Sequence, residues 1–533
     1  MPPEETTIPG ALTLAATAAP DVEAVVDGEL RLSYRQLRDE ALAVTRSLLA
    51  RGTARGDRIA LWAPNSTRWI TAALGVLSAG AVLVPVNTRY KGEEARDVLR
   101  RSGARLLFVE DGFLGNDYLA LLGVQGESDR TAPDRPVPDL TDLAEVVTLD
   151  QGQRAGATSW ESFLRDGDRV PTDEAVARAV SVRADDVSDV LFTSGTTGRP
   201  KGVLTTHGQN VRTYRAWCDR TGLVRGDRYL IINPMFHSFG YKAGVLACLL
   251  RGATMVLQLV FDVAETMRLV QTESVTVLPG PPTIYTSLLD APGREDYDLS
   301  SLRLAVTGAA TVPVALVRRI RAELFPTVLT AYGLTESCGT VSACTARDPD
   351  EAVARTAGRP IEGVRVRVVD AQGEGLPAGR DGVVLVRGHN VMRGYLDDPE
   401  ATAEAVDPEG WLDTGDIGHL DEDGRLTLTG RSKEMFVVGG FNVSPAEVEQ
   451  TLARHDAVAE AAVIGVPDHR MGEIGHAYVT LRPGAVTTPT ELVDHCRELL
   501  ANFKAPREVT VLETLPRNAA GKIRKDDLRG TSR

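Results

Sequence analysis

Ser188-Asp-Val-Leu-Phe-Thr-Ser-Gly-Thr-Thr-Gly-Arg-Pro-Lys-Gly202 starts as an apolar strand signal and ends as a loop of hydroxyls, glycines and one lysine. Thr193, Ser194, Thr196 and Thr197 supply hydroxyl donors, and Lys201 supplies a positive charge. Gly195 and Gly198 let backbone N–H groups approach an anion closely. Together these are what the phosphates of a nucleoside triphosphate need. The loop is not a Walker A box, which requires Gly-Lys followed by Ser or Thr, because Arg199 and Pro200 separate Gly198 from Lys201. A Gly/Thr surface linker would share this composition. The strand directly upstream and the ten-residue pattern favour the phosphate loop.

The rest of the chain sets the frame for that loop. A length of 533 residues exceeds what one core supports, so two or more domains are expected. Hydrophobic content of 43% and charged content of 25% are those of a soluble globular protein. A net charge of −14 argues against nucleic acid or an anionic membrane as the main partner. The five cysteines form no CxxC pair and the eight histidines no metal-ligand spacing, which points to a reduced, cytoplasmic protein with inert thiols. Glu4 and Glu5 deny the N-terminus the basic region of a signal peptide. Trp69 to Thr88 carries no charge, but Gly75, Gly80 and Pro85 interrupt it, so it reads as a buried helix–turn–strand and not as a membrane span.

Apolar β-branched runs at 58–62, 81–84, 105–109, 274–278, 302–306 and 327–330 alternate with amphipathic stretches, the βαβ rhythm of a layered α/β fold. The stretch 111–185 breaks this rhythm with Pro, Asp and Gly and is expected to be an irregular excursion. From about 360 onward, runs at 364–369, 382–386 and 425–429 predict a small β subdomain. A compact α+β unit is expected from roughly 432. Ser444 is its predicted N-cap, Pro445 its first helical residue and Glu447 its capping-box partner.

Four further segments carry chemistry. In Ala331-Tyr-Gly-Leu-Thr-Glu-Ser337, Tyr332 can stack on a purine, Thr335 can bond a phosphate and Glu336 can hold Mg²⁺. Trp411-Leu-Asp-Thr-Gly-Asp416 puts a carboxylate on a tight turn, suited to ribose hydroxyls, although an Asx turn has the same signature. Gly430 to Glu449 is a long, specific segment, and Pro516-Arg-Asn-Ala-Ala-Gly-Lys522 presents one lysine from a small-residue loop.

In order and spacing these segments resemble the adenylate-forming superfamily of acyl-CoA synthetases, luciferases and peptide-synthetase adenylation domains. The resemblance spans nearly the whole chain. It implies an α/β fold with a large N-terminal AMP-binding domain (1–430), a hinge (431–434) and a small mobile α+β C-terminal domain (435–533). It also implies ATP, Mg²⁺ and coenzyme A as cofactors and co-substrates. Under it, Thr193, Ser194, Gly195, Thr196, Thr197, Gly198 and Lys201 form the phosphate loop. Gly308, Ala309, Ala310 and Tyr332 frame adenine, Gly333 belongs to the same ATP site, and Asp416 with Arg431 holds ribose. Thr335 meets the α-phosphate and Glu336 the metal. Lys522 is the adenylation lysine, Lys433 the pivot of the hinge, and Gly439 and Gly440 flank the pantetheine tunnel.

Asn233-Pro-Met-Phe-His-Ser-Phe-Gly-Tyr-Lys-Ala-Gly244 and Leu278-Pro-Gly-Pro-Pro-Thr-Ile-Tyr-Thr-Ser-Leu-Leu-Asp290 resemble actinobacterial ligases that attach CoA to the methylhexahydroindanedione propanoate left from steroid rings C and D. This implies an acyl pocket with Phe236, His237, Tyr241, Lys242 and Pro281, where Tyr241 and Lys242 could meet ring ketones. His237 is the usual pocket wall and is grouped with the catalytic residues. The expected partners are a small carboxylic acid, ATP and CoA, with no nucleic acid, no membrane span and room for a homodimer. Competing readings are a medium- or long-chain fatty-acid ligase, a carrier-loading adenylation domain, a luciferase-like oxygenase and a non-catalytic acyl or nucleotide sensor. Retention of Glu336, Asp416 and Lys522 speaks for catalysis.

Overall fold

The computed structural model describes residues 7–125, 136–150, 152, 154–193, 200–308, 314–370, 372–431, 435–516, 523 and 525–529. The chain divides into two compact units. One comprises Met1–Thr88, Arg96–Leu191 and Gly202–Thr429, the other Arg89–Ala95, Phe192–Lys201 and Gly430–Arg533.

Among the described residues, the body of the chain builds two large sheets. The eight-stranded sheet has Arg58–Trp62 at its centre, parallel to Val82–Pro85 on one side and Leu106–Val109 on the other. Val187–Thr193 extends the sheet beyond Val82–Pro85, and Lys201–Thr206 and Gly394–Tyr395 complete that edge. The nine-stranded sheet runs Val277–Pro279, Leu304–Gly308 and Thr327–Tyr332 side by side and parallel. Parallel strands are covered on both faces, which is why they read as continuous apolar runs without alternation. A smaller antiparallel sheet of Val364–Val369, Gly382–Gly388, Leu412–Leu420 and Leu426–Arg431 follows, as the turn-rich sequence after 360 predicts.

The uncharged stretch after Trp69 is a helix, Thr67–Ser78, capped by Ser66, whose hydroxyl accepts from the Trp69 N–H, and a strand, Val82–Pro85. It lacks charge because other elements cover it. Gly75 lies against helix Tyr34–Ala50, where an added Cβ would come within 2.4 Å of Val44. No helix among the described residues is long and apolar enough to cross a membrane.

The stretch 111–185 is more ordered than its punctuation suggests. Glu145–Thr148 joins the eight-stranded sheet parallel to Leu106–Val109, and Trp160–Asp166 and Thr172–Val180 are helices. A few aromatic anchors suffice: Phe163 meets Phe108 edge-on at 5.1 Å between centroids and stacks on Trp160 at 5.8 Å. The strand expected at 274–278 is confined to Val277–Pro279, since Ser274 ends helix Val263–Glu273 in the left-handed region at φ 49°.

The second unit packs helices Pro445–Ala453 and Pro489–Leu499 on a sheet that includes Val458–Asp468 and Gly472–Leu481. Phe436, Val448, Leu452, Val463, Val479 and Leu492 form its core. The helix begins at Pro445 after Ser444, but the expected capping box is absent. Glu447 is committed instead to Lys504, whose Nζ lies 2.8 Å from Glu447 Oε1, and the Ser444 hydroxyl is buried without a hydrogen-bond partner among the described residues.

Candidate active site

Strands Leu304–Gly308 and Thr327–Tyr332 end together, with Gly308 opposite Ala331. In open α/β sheets, ligands bind beyond such carboxyl ends. A Cβ at Gly308 would come within 2.7 Å of the Ala331 carbonyl oxygen, so the two backbones meet only because this residue is glycine. After Tyr332 the chain folds back tightly. A Cβ on Gly333 would sit 2.2 Å from the Gly339 carbonyl oxygen. Between them lies the single turn Thr335–Ser337, closed by the Leu334 N–H donating to Ser337 Oγ at 3.1 Å. Tyr214 OH donates to the Cys338 carbonyl at 3.1 Å and fixes the far side of the turn.

Two tyrosine–carboxylate pairs define the site. Tyr332 OH donates to Asp416 Oδ2, and Tyr395 OH donates to Glu336 Oε1 at 3.0 Å. Asp416 belongs to Leu412–Leu420 and is 7% exposed, so its carboxylate is buried beside the strand end that carries Tyr332. The Met392 N–H donates to the Glu336 carbonyl at 2.8 Å, so segment 392–395 holds Glu336 by backbone and side chain. Burial and the Glu336 carboxylate raise the Tyr395 pKa well above the usual phenol range, so this group remains a donor at neutral pH. A buried acceptor such as Asp416 suits ribose hydroxyls. A single oriented carboxylate such as Glu336 suits Mg²⁺, which keeps few protein ligands and takes the rest from substrate phosphates and water. The described residues contain no cluster of three or more metal-ligating side chains.

The loop 233–240 and the loop before helix Pro282–Leu289 are tied together by Asn233 Nδ2 donating to the Pro279 carbonyl at 2.9 Å. This brings Phe236, His237 and half-buried Pro281 into one region. A Cβ on Gly339 would come within 2.9 Å of Ser238 Cβ, so the turn after Glu336 packs against the residue following His237. His237 Nδ1 accepts the Phe239 N–H at 3.2 Å, which leaves Nε2 as the protonated nitrogen of the neutral ring. Its ring reaches solvent although protein surrounds it on most sides, the environment of a recess wall. Desolvation and the nearby Lys242 ammonium lower its pKa, favouring the neutral form.

Lys242 and Tyr241, expected near the ring ketones, are both buried. Lys242 is fully buried, with Nζ 2.9 Å from Asp189 Oδ1 and 2.9 Å from Thr205 Oγ1. Tyr241 is 1% exposed and packs against Trp69 at 5.8 Å between ring centroids. The Lys242 ammonium is thus committed to Asp189 and Thr205, while the Tyr241 hydroxyl is buried without a hydrogen-bond partner among the described residues. A cation in an apolar segment needs a carboxylate, and the sequence did not show that Asp189 supplies it. Tyr395 was also missed by sequence reading, because a tyrosine beside Gly394 carries no periodic signal.

Other candidates sit at element ends. Thr193 ends Val187–Thr193, Lys201 opens Lys201–Thr206 and Arg431 ends Leu426–Arg431. Gly439 and Gly440, at φ 56° and 88°, form the turn between Phe436–Val438 and Phe441–Val443. Ser194, Gly195, Thr196, Thr197, Gly198, Ala309, Ala310, Lys433 and Lys522 lie outside the described residues. A cavity of about 590 Å³ elsewhere in the first unit is lined by Arg220, Arg347, Arg359 and Arg425 with Asp219 and Asp348. Its charges are already matched in part, with Arg425 Nε 3.2 Å from Asp348 Oδ1.

Residues 12–396 match the AMP-binding enzyme family and residues 447–522 its C-terminal domain. The chain belongs to the AMP-binding enzyme family. This AMP-binding enzyme is 49% identical over 534 residues, 99% of each chain, to the 3-[(3aS,4S,7aS)-7a-methyl-1,5-dioxo-octahydro-1H-inden-4-yl]propanoyl:CoA ligase of Rhodococcus jostii. It is 49% identical over 525 residues, 98% of each chain, to the ligase of the same name from Mycobacterium tuberculosis. Among solved structures it is similar to o-succinylbenzoate CoA synthetase of Bacillus subtilis, at TM-score 0.79 and 26% identity over 98% of each chain. An amide bond synthetase of Marinactinospora thermotolerans is similar at TM-score 0.83 and 27% identity, covering 98% of this chain and 99% of that one. AMP-binding enzymes of this kind use ATP, and the two relatives named above are acid–thiol ligases.

Proposed function

We propose that this AMP-binding enzyme is an ATP-dependent acyl-CoA ligase acting on a bicyclic indanedione propanoate of the kind that steroid ring degradation leaves. The reading rests on one arrangement: Tyr332–Asp416 and Tyr395–Glu336 paired at the carboxyl ends of parallel strands. The 49% identity to two indanyl-propanoyl:CoA ligases over almost their whole length supports the substrate class.

The chemistry proceeds in two half-reactions. A substrate carboxylate oxygen attacks the α-phosphorus of ATP, and the α–β bridging bond breaks to give acyl-AMP and pyrophosphate. The CoA sulfur, having lost its proton, then attacks the acyl carbon, and AMP leaves with the C–O electron pair. The first step brings two anions together, so donors and positive charge around the α-phosphate lower its barrier. In this reading Thr335 donates to the α-phosphate, Asp416 and Arg431 hold ribose, and Glu336 would hold Mg²⁺. Bound there, the metal supplies charge neutralisation at the phosphates. Neutral His237 walls the acyl recess, with its Nε2–H able to donate. Lys522 reaches the reacting oxygens in the adenylating state, Lys433 is the pivot between states, and the Gly439–Gly440 turn passes the pantetheine arm. This reading includes a cytoplasmic setting, in keeping with five buried free cysteines.

Acid-dependent ATP–pyrophosphate exchange without CoA tests the first half-reaction, and appearance of a thioester on adding CoA tests the second. The fold alone does not choose the acceptor, since an amide bond synthetase shares it. Exchange without thioester would overturn the ligase reading.

A further inference from the structure

Glu336 ends in a carboxylate whose last torsion is broad and roughly two-fold, so nothing in its own chemistry fixes which oxygen faces a ligand. The structure supplies an external constraint. Tyr395 OH donates to Glu336 Oε1 at 3.0 Å, and the Met392 N–H donates to the Glu336 carbonyl at 2.8 Å. The tyrosine is itself held rigidly. Its N–H donates to Thr402 Oγ1 at 2.9 Å, and Gly394, at φ 152°, brings the backbone so near Thr402 that a Cβ would lie 3.0 Å from Thr402 Cγ2. Gly394 and Tyr395 pair antiparallel with Leu204 and Val203, and the Leu396 N–H donates to the Gly202 carbonyl at 2.7 Å. Strand Lys201–Thr206 is the one that follows the Thr/Gly loop in the sequence.

We propose that Tyr395 is a positioning residue for this reaction: its hydroxyl locks one oxygen of Glu336 so that the carboxylate presents a fixed face to the metal–nucleotide complex. The proposal rests on the reading of Glu336 as the Mg²⁺ contact. It assigns Tyr395 no contact with substrate. Removing the hydroxyl removes this hold on the carboxylate, so metal-linked nucleotide binding weakens while metal-free binding does not change.

The test is a double-mutant cycle read by calorimetry of ATP binding to the intact enzyme with and without Mg²⁺. The variants are Tyr395→Phe, Glu336→Gln and the double variant. Phenylalanine keeps the ring packing, and the thermal midpoint without nucleotide serves as the folding control. A hydrogen bond to a charged group corresponds to about a tenfold effect or more. Tyr395→Phe is expected to reduce the Mg²⁺ enhancement of ATP affinity about tenfold and to leave metal-free affinity unchanged. The double variant is expected to be no worse than Glu336→Gln alone, because the tyrosine acts only through that carboxylate. An unchanged Mg²⁺ enhancement in Tyr395→Phe, with loss in Glu336→Gln, overturns the positioning role and leaves the metal reading standing. An unchanged enhancement in Glu336→Gln overturns the metal reading and the proposal with it. Additive losses in the double variant also overturn the proposal, since Tyr395 would then act by another route.

Discussion

Replacing Lys242 by methionine removes the cation of a fully buried ion pair and leaves Asp189 in place. Both side chains are 0% exposed, and their charged atoms lie 2.9 Å apart. Asp189 then keeps only neutral donors: Ser188 Oγ at 2.7 Å, Thr205 Oγ1 at 2.7 Å and Asn210 Nδ2 at 2.8 Å. Orphaning one partner of a buried pair costs about 3–5 kcal/mol. The three remaining hydrogen bonds place the expected loss at the lower end, about 3 kcal/mol. At ~2.1 cal/mol/K per residue, a unit of roughly 400 residues loses about 1 °C per kcal/mol, so the first unit should melt about 3–4 °C lower. The double variant Lys242→Met with Asp189→Asn removes both charges and should recover most of that loss. Differential scanning fluorimetry with urea titration reads both variants. A Lys242→Met midpoint within 1 °C of wild type, or a double variant as unstable as the single one, would mean that the buried pair does not carry this stability. The ratio of activity on bicyclic and linear acids should stay the same in Lys242→Met, because the ammonium is committed to Asp189 and Thr205.

Other expectations follow from the same geometry. His207 is fully buried with Nδ1 accepting the Ile8 N–H at 3.4 Å, and burial lowers its pKa to about 4. The folded form resists protonation, so its contribution is complete above the ordinary pKa near 6.5 and falls as pH drops towards 4. That amounts to about 3 kcal/mol at most, and His207→Gln should flatten this part of a urea-stability profile measured from pH 7 to 4.5. Asp416→Ala should raise the KM for ATP about tenfold or more while the fold survives, as steady-state kinetics and circular dichroism would show. Gly333→Ala forces the turn off the Gly339 backbone, 2.2 Å from the new Cβ, and should abolish nucleotide binding by calorimetry at about 2 kcal/mol of stability. Lys522→Ala should cripple acyl-AMP formation yet spare thioester formation from supplied acyl-AMP. Equal loss in both steps would make that lysine merely structural.

The parallel strands were legible because burial on both faces writes itself as unbroken apolar runs, as at 58–62 and 327–330. The motif residues Tyr332, Glu336 and Asp416 were legible as chemistry on turns. Their partners were less so. Tyr395 lies 59 positions from Glu336, and Asp189 lies far from Lys242 along the chain, so each pairing exists only through sheet topology. Local punctuation misled twice. Pro, Asp and Gly between 111 and 185 hid a sheet strand whose helices are anchored by Trp160 and Phe163. Ser444 and Glu447 have capping-box spacing, but a long-range ion pair with Lys504 outcompeted the local hydrogen bond.

Mass-spectrometric measurement of thioester formation from ATP, Mg²⁺ and CoA across a panel of acids decides both the ligase activity and its substrate. The panel sets the indanedione propanoate against octanoate, palmitate, benzoate and cinnamate. A strong kcat/KM preference for the bicyclic propanoate is expected, with AMP and pyrophosphate released in equal amounts. Preference for a linear acid would contradict the substrate assignment, and acyl-AMP accumulating without any thioester would contradict the ligase itself.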